Sequence, residues 1–179
     1  TLAMAMLFSV LMLVQPIYSE VFDRLESFPY WFGGIALVSA FSSFLNAQLV
    51  VRLGMRRLTT WAFMVQVVLS GGLFAYSGNI GVDHFAFFAV WQGYIFFQAG
   101  LTIGNLNAIA MEPMGHIAGM AASVIGAVST VLAAAIASPI GLLFDGTIQP
   151  LVGAVFVLAS LALGMMLYMG RVEARQPAE

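Results

Sequence analysis

The sequence predicts an all-α membrane protein of six transmembrane helices. Three observations lead there. Apolar runs of bilayer-crossing length follow one another with short breaks, hardly any charge interrupts them, and the arginines collect in alternate breaks. Of 179 residues, 61% are hydrophobic and only 8% are charged, and the mean hydropathy is +0.99. A soluble domain carries about 25% charged residues. The polar residues cannot cover a water-facing surface, so lipid is the expected covering.

A spanning helix needs roughly 20 mostly apolar residues. The first is expected over Leu2 to Tyr18 and the second over Pro29 to Leu53, with Glu20, Asp23, Arg24 and Glu26 between them. The third runs from Leu58 to Tyr76, after a break holding Arg52, Gly54, Arg56 and Arg57. The fourth, Phe85 to Met111, follows Ser77–Asp83, which carries Gly78 and Gly81. The fifth, Ile117 to Phe144, follows Glu112-Pro-Met-Gly-His116, and the sixth, Pro150 to Met169, follows Asp145-Gly-Thr-Ile-Gln. Glycine and proline stand where helices should stop. No connection is long enough for a soluble domain. The chain opens on Thr1 with no charged leader ahead of its first apolar run, so it does not read as a signal peptide, and it is expected to begin inside a longer protein.

Cytoplasmic connections carry an excess of basic residues. Arg52, Arg56 and Arg57 follow the second helix, and Arg171 and Arg175 follow the sixth. The other side receives only Arg24, against Glu20, Asp23, Glu26, Asp83 and Asp145. Both termini are therefore expected in the cytoplasm. A net charge of −2 gives no footing for nucleic acid, and with no cysteine there is neither a disulfide framework nor a thiolate metal site. No cofactor is expected. Neither His-Glu-x-x-His nor Gly-x-Ser-x-Gly occurs, and both histidines, His84 and His116, sit at span boundaries, so the chain does not read as an enzyme.

Inside the spans every polar group needs a partner, water or a ligand. At 100° per residue, Trp91, Tyr94, Gln98, Thr102 and Asn105 share one narrow sector of the fourth helix. We read them as the wall of a substrate cavity; the alternative is hydrogen bonding that glues helices together. Gln92 and Asn107 point elsewhere and read as structural. The first helix aligns Met4, Phe8, Leu11, Gln15 and Tyr18, a face suited either to varied apolar ligands or to ordinary contact. Ser39, Ser42, Ser43 and Asn46 share a face of the second. Gly115, Gly119, Ser123, Gly126 and Thr130, continuing to Ala134, Ala137 and Gly141, line the fifth, a small-residue stripe that reads as helix packing. Pro16 and Pro139 suggest bends near one end of their helices. The third and sixth helices are mostly large and apolar, with Gln66 the main exception, and suit the lipid-facing periphery. No charged residue lies deep within any span.

Asn46-Ala-Gln-Leu-Val-Val-Arg-Leu-Gly-Met-Arg-Arg57 resembles the cytoplasmic loop motif of the major facilitator superfamily in its second-half copy. Leu49, Arg52, Leu53, Gly54, Arg56 and Arg57 fit it, whereas Val51 stands where the motif has an acid and Met55 where it has an arginine. The run Glu112-Pro-Met-Gly-His-Ile-Ala-Gly-Met-Ala-Ala-Ser-Val-Ile-Gly126, continuing to Leu142-Leu-Phe-Asp-Gly-Thr147, is similar to the tenth-to-eleventh helix region of bicyclomycin/chloramphenicol-resistance-type drug:proton antiporters. The resemblance implies that residues 1–179 form the C-terminal half of a twelve-helix transporter, a 3+3 inverted repeat, in the inner membrane. It implies alternating-access export of small amphipathic compounds, with protons and the absent N-terminal half as partners and the coupling carboxylate in that half. It also implies that Arg52, Gly54, Arg56 and Arg57 form a gating loop, and that the second and fifth helices meet the other half. Proton-coupled metabolite uptake and a self-dimerising six-helix protein are the alternatives.

Overall fold

A computed structural model describes residues 1–173; Arg175 lies outside them. Among the described residues there are six α-helices and no strand: α1 (Leu2–Glu20), α2 (Phe28–Leu53), α3 (Met55–Tyr76), α4 (Phe85–Met111), α5 (Ala118–Leu142) and α6 (Gln149–Glu173). The expected helices are all present, with ends displaced by up to four residues. α3 begins three residues early because Gly54 alone joins it to α2. At φ 80°, ψ 151° this glycine caps both helices, accepting from the Leu58 amide while donating to the Val50 carbonyl. α1 and α5 continue past Pro16 and Pro139.

Among the described residues, five helical stretches are long and apolar enough to cross a membrane: Leu2–Glu20, Phe28–Leu53, Met55–Asn79, Val82–Leu142 and Gln149–Val172. The composition and these lengths are those of a membrane protein. The fourth stretch holds two helices, α4 and α5, joined through tight helical turns over Glu112–Ile117, where Met114 departs from helical geometry.

Residue pairs set the helix directions. Ile35 lies against Gly93, Ser42 against Gly100 and Asn46 against Asn105, so α2 runs parallel to α4. Tyr18, at the end of α1, meets Phe85 and Gln92 in the first turns of α4, so these two are antiparallel. Met12 meets Gly141, so the end of α5 lies beside the second half of α1. α3 and α6 hold each other by a reciprocal clasp. Phe156 packs on Gly71 and Phe74 packs on Gly153, leaving 3.0 and 2.9 Å to a would-be Cβ at the two glycines. Each helix thus offers the same Gly-x-x-Phe spacing to the other, and an aromatic ring fills the space a side chain would take.

The helix contacts define two layers. α5, α1, α4 and α2 form a row in that order, and α6 and α3 lie behind α1 and α4. The core gathers where the layers meet, around Met6, Val10, Ile17, Phe63, Phe88, Ile95, Leu151 and Val155. α3 and α6 are therefore not mere periphery. They pack on each other and on the central pair, while their outward faces, including Trp61, Val68, Val157 and Tyr168, remain apolar and exposed.

Candidate functional site

The polar stripe of α4 faces backwards. Trp91 Nε1 donates to Ser70 Oγ of α3 at 2.9 Å, and the Tyr94 hydroxyl donates to the Ala62 carbonyl of the same helix at 2.9 Å. Gln98 Nε2 donates to Thr102 Oγ1 at 3.1 Å, whose hydroxyl donates in turn to the Gln98 carbonyl. Asn105 Nδ2 donates to Asn46 Oδ1 of α2 at 2.8 Å. Trp91, Gln98, Thr102 and Asn105 are buried and Tyr94 half-buried. Trp91, Tyr94 and Asn105 thus join α4 to α3 and α2, while Gln98 and Thr102 bond to each other within α4. Helical spacing alone could not separate a cavity wall from an interhelical seam, because the two have the same period.

The same seam continues deeper. Tyr18 donates to Gln92 Oε1 at 3.0 Å, and Gln66 Nε2 donates to Ser70 Oγ at 2.8 Å. Gln66 and Gln92 are fully buried, and Gln66 Oε1 and Gln92 Nε2 have no hydrogen-bond partner among the described residues. Tyr18 thus leaves the α1 face that it shares by periodicity with Gln15: its hydroxyl and ring are committed to α4 and to the Phe28, Phe85 and Phe88 rings.

The accessible polar groups lie elsewhere. On α1, Gln15 and Leu11 are exposed, with Met4 and Phe8 half-exposed along the same face. On α4, about half a turn from the buried stripe, Gly104 and Asn107 are exposed. Asn107 was set aside in the sequence as structural. What marks it as accessible is its position opposite the α3 contact, which needs the neighbour to be known. Gln15 is exposed on the same α1 face as Leu11.

Most of the small-residue stripe of α5 does not pack within the chain, Ala137 and Gly141 being the members that do. A Cβ at Gly115, Gly119 or Gly126 would meet nothing within 4 Å. Ser123 and Thr130 are exposed and return their hydroxyls to the carbonyls of Gly119 and Gly126. Gly115 sits in the tight turns before α5, so it shares no helix with Gly119. α5 leans on the rest of the bundle through Ala121, Ala133, Ala137 and Ile140, and the stripe meets α1 only at its far end, where Met12 Cε lies 3.1 Å from a would-be Cβ at Gly141. α2 is equally open, burying only Ser39 and Ser42, whose hydroxyls lack partners among the described residues.

At the arginine end, Arg52, Gly54 and Arg57 are exposed, while Arg56 is half-buried and shares a cleft with Glu112, Pro113 and Met169. At the opposite end, Thr147 donates its hydroxyl to Asp145 Oδ1 at 2.7 Å and its amide to the same oxygen at 3.0 Å, with Gly146 at φ 81° making the bend. These bonds hold the Asp145 carboxyl below the usual carboxylate range, the Thr147 hydroxyl being the main cause. Among the described residues no cluster of three or more His, Asp or Glu could hold a metal ion. Compared with known proteins, the chain matches no family model, no curated protein and no solved structure.

Proposed function

We propose that the chain is one half of an alternating-access transporter of the major facilitator type, exporting small amphipathic compounds across a cell membrane against a proton gradient. The observation that carries the reading is the pattern of helix contacts. α1 packs on α5 as α4 packs on α2, and α1 packs on α6 as α4 packs on α3, while α1–α4 and α3–α6 meet in the middle. Exchanging α1–α3 for α4–α6 returns these pairings, although α4 and α5 touch more than their counterparts α1 and α2 do. Two three-helix units of inverted topology have this property, since an odd number of helices reverses the second unit in the membrane.

In this reading α4 and α5 are two spans, making six. A straight 61-residue helix would be roughly 90 Å long, about three bilayer cores, whereas α5 turns back to lie beside α1. The open flanks, α2 and α5, are where a second half would rock. The substrate surface is the front of α1 and α4, around Gln15, Leu11, Gly104 and Asn107. Neutral amides on an apolar surface give hydrogen bonds without demanding a charge, which suits uncharged or zwitterionic compounds. No acid lies deep within the spans to carry a proton, so in this reading coupling belongs to the partner half.

The test is transport by the assembled protein. Gln15→Ala and Asn107→Ala should change substrate affinity or preference while leaving the pH profile of transport in place. Loss of proton coupling with substrate binding retained would contradict the division of labour, and unchanged substrate handling in both would remove the assigned surface. A cysteine at Met55 should react with an impermeant reagent only from the cytoplasmic side. Vectorial, saturable uptake by residues 1–179 alone in liposomes would instead favour a self-dimerising half.

A further inference from the structure

We infer that the end of the bundle bearing Asp23 and Arg24 carries a site for one phospholipid whose headgroup holds both a phosphate and a primary ammonium. The inference rests on the membrane placement of these helices and goes beyond the transport reading. Its two parts are a polar bowl in the α1–α2 connection and an apolar groove that begins at the first turn of α2.

The groove, about 790 Å³, runs between α2, α3 and α4 and is lined by Tyr30, Trp31, Gly34, Val38, Gly93 and Phe97 among others. Its depth comes from the two glycines: a Cβ at Gly34 would meet nothing within 4 Å, and one at Gly93 would meet only Ile35 at 3.8 Å. A groove at this depth with an apolar lining is filled by an acyl chain rather than by water. The bowl, about 740 Å³, is lined by Ser19, Asp23, Arg24, Glu26 and Ser27 with Phe22, Leu25 and Val82. Ser27 borders the bowl, and its carbonyl accepts the amides of Tyr30 and Trp31, which border the groove. The two are also bridged by rings: the Arg24 guanidinium sits 4.8 Å over Phe85, whose ring lies 4.9 Å from that of Trp31.

Charge selects the headgroup. The bowl holds one cation, Arg24, between two carboxylates, Asp23 and Glu26; Glu20 and Asp83 stand close in sequence to its rim. A phosphate suits the guanidinium, and a primary ammonium, with three donors, suits the carboxylates. An anionic lipid without an amine would leave the two acids facing its negative charge. A trimethylammonium headgroup has no proton to donate.

The full chain is reconstituted in vesicles containing a trace of a phospholipid with a diazirine in its acyl chain, carrying an ethanolamine, choline or glycerol headgroup. After illumination, label on the peptides spanning 30–38 and 87–97 is compared with label on the exposed face of α5, around Val124, Val128 and Val131. The ethanolamine lipid should label the groove about tenfold over α5, the factor that one charge-assisted hydrogen bond supplies, and the other two should show no enrichment. Arg24→Gln should lower the ethanolamine enrichment to the choline level. Gly34→Leu, which projects into open space, should abolish it. Equal enrichment for all three headgroups, or none for ethanolamine, overturns the proposal while leaving the transporter reading intact. Label on no helix at all overturns both.

Discussion

The central helices and the flanks of this bundle solve the same problem in opposite ways. In α1 half of the apolar stretch is buried inside the chain, whereas in α2 only 11% is. Both helices are about equally apolar, so composition does not decide which is covered. In water such a difference would be intolerable, because exposed apolar area disfavours the folded state by about 25 cal/mol per Å². In lipid it is nearly free, since acyl chains are as apolar as leucine, and close packing and interhelical hydrogen bonds decide which helices associate. The central helices carry that bonding: Trp91 to Ser70, Tyr94 to Ala62, Tyr18 to Gln92. On α5 the hydroxyls of Ser123 and Thr130 instead fold back onto their own helix, leaving the face free.

The sharpest way to break the contrast is a pair of glycine substitutions. A Cβ at Gly100 would lie 1.9 Å from Ser42 Oγ and 3.2 Å from Ser42 Cβ, so Gly100→Leu should separate α2 from α4 and destabilise the chain by about 3 kcal/mol or more. Gly126→Leu, on the open face of α5, should leave thermal unfolding in detergent within about 0.5 kcal/mol of the parent. Comparable losses for both would mean that α5 is packed as tightly as α4. On the proposed function, the effect of Gly126→Leu should appear only in the assembled protein, as lost transport.

Next in size are the seam residues. Trp91→Phe removes the donor to Ser70 and Asn105→Leu removes one partner of Asn46. Each should lower stability by about 1 kcal/mol, the usual worth of an interhelical hydrogen bond. Because the stripe faces α3 and α2, neither should alter substrate preference. A shift in preference with Trp91→Phe, at unchanged stability, would return the stripe to the cavity. The smallest effect is expected at the Asp145 turn. Its carboxyl titrates below the ordinary value of 3.8. A depressed folded value means the turn's contribution is complete above the ordinary value and is lost only as pH falls through the lower one. Protection of the Thr147 amide, its exchange compared with an unstructured chain at the same pH, should therefore be flat around neutrality and fall in acid, and Asp145→Ala should remove that step by loosening the turn at every pH.

Much of this was legible because membrane helices declare themselves in length and composition. Gly54 marked the α2–α3 corner, since only glycine tolerates that backbone, and Asp145-Gly-Thr147 marked the turn before α6. The site was less legible. Gln15 stood out as an amide in an apolar face, and the structure leaves it exposed. Trp91, Tyr94, Gln98, Thr102 and Asn105 share one face, on which Trp91, Tyr94 and Asn105 bond to α3 and α2 and Gln98 and Thr102 bond within α4. Gly119, Ser123, Gly126 and Thr130 were read as packing, yet α5 uses its alanine face on α1. Asn107 was passed over because nothing in its own helix distinguishes a front from a back.

The sequence by itself determined where the helices lie, how short the connections are and how little charge enters the apolar stretches. Each of these depends on local chemistry: the length of an apolar run, a glycine's freedom at positive φ, an aspartate's reach to the next amides. The tertiary structure alone decided which face of each helix is covered. In a bilayer, lipid and a neighbouring helix satisfy an apolar side chain almost equally well, so hydrophobicity does not orient a helix about its axis. Orientation comes from pairwise fits between residues distant in the chain, such as Gly100 beside Ser42, Gly71 under Phe156 and Trp91 bonded to Ser70. No periodicity within one helix encodes such a pair.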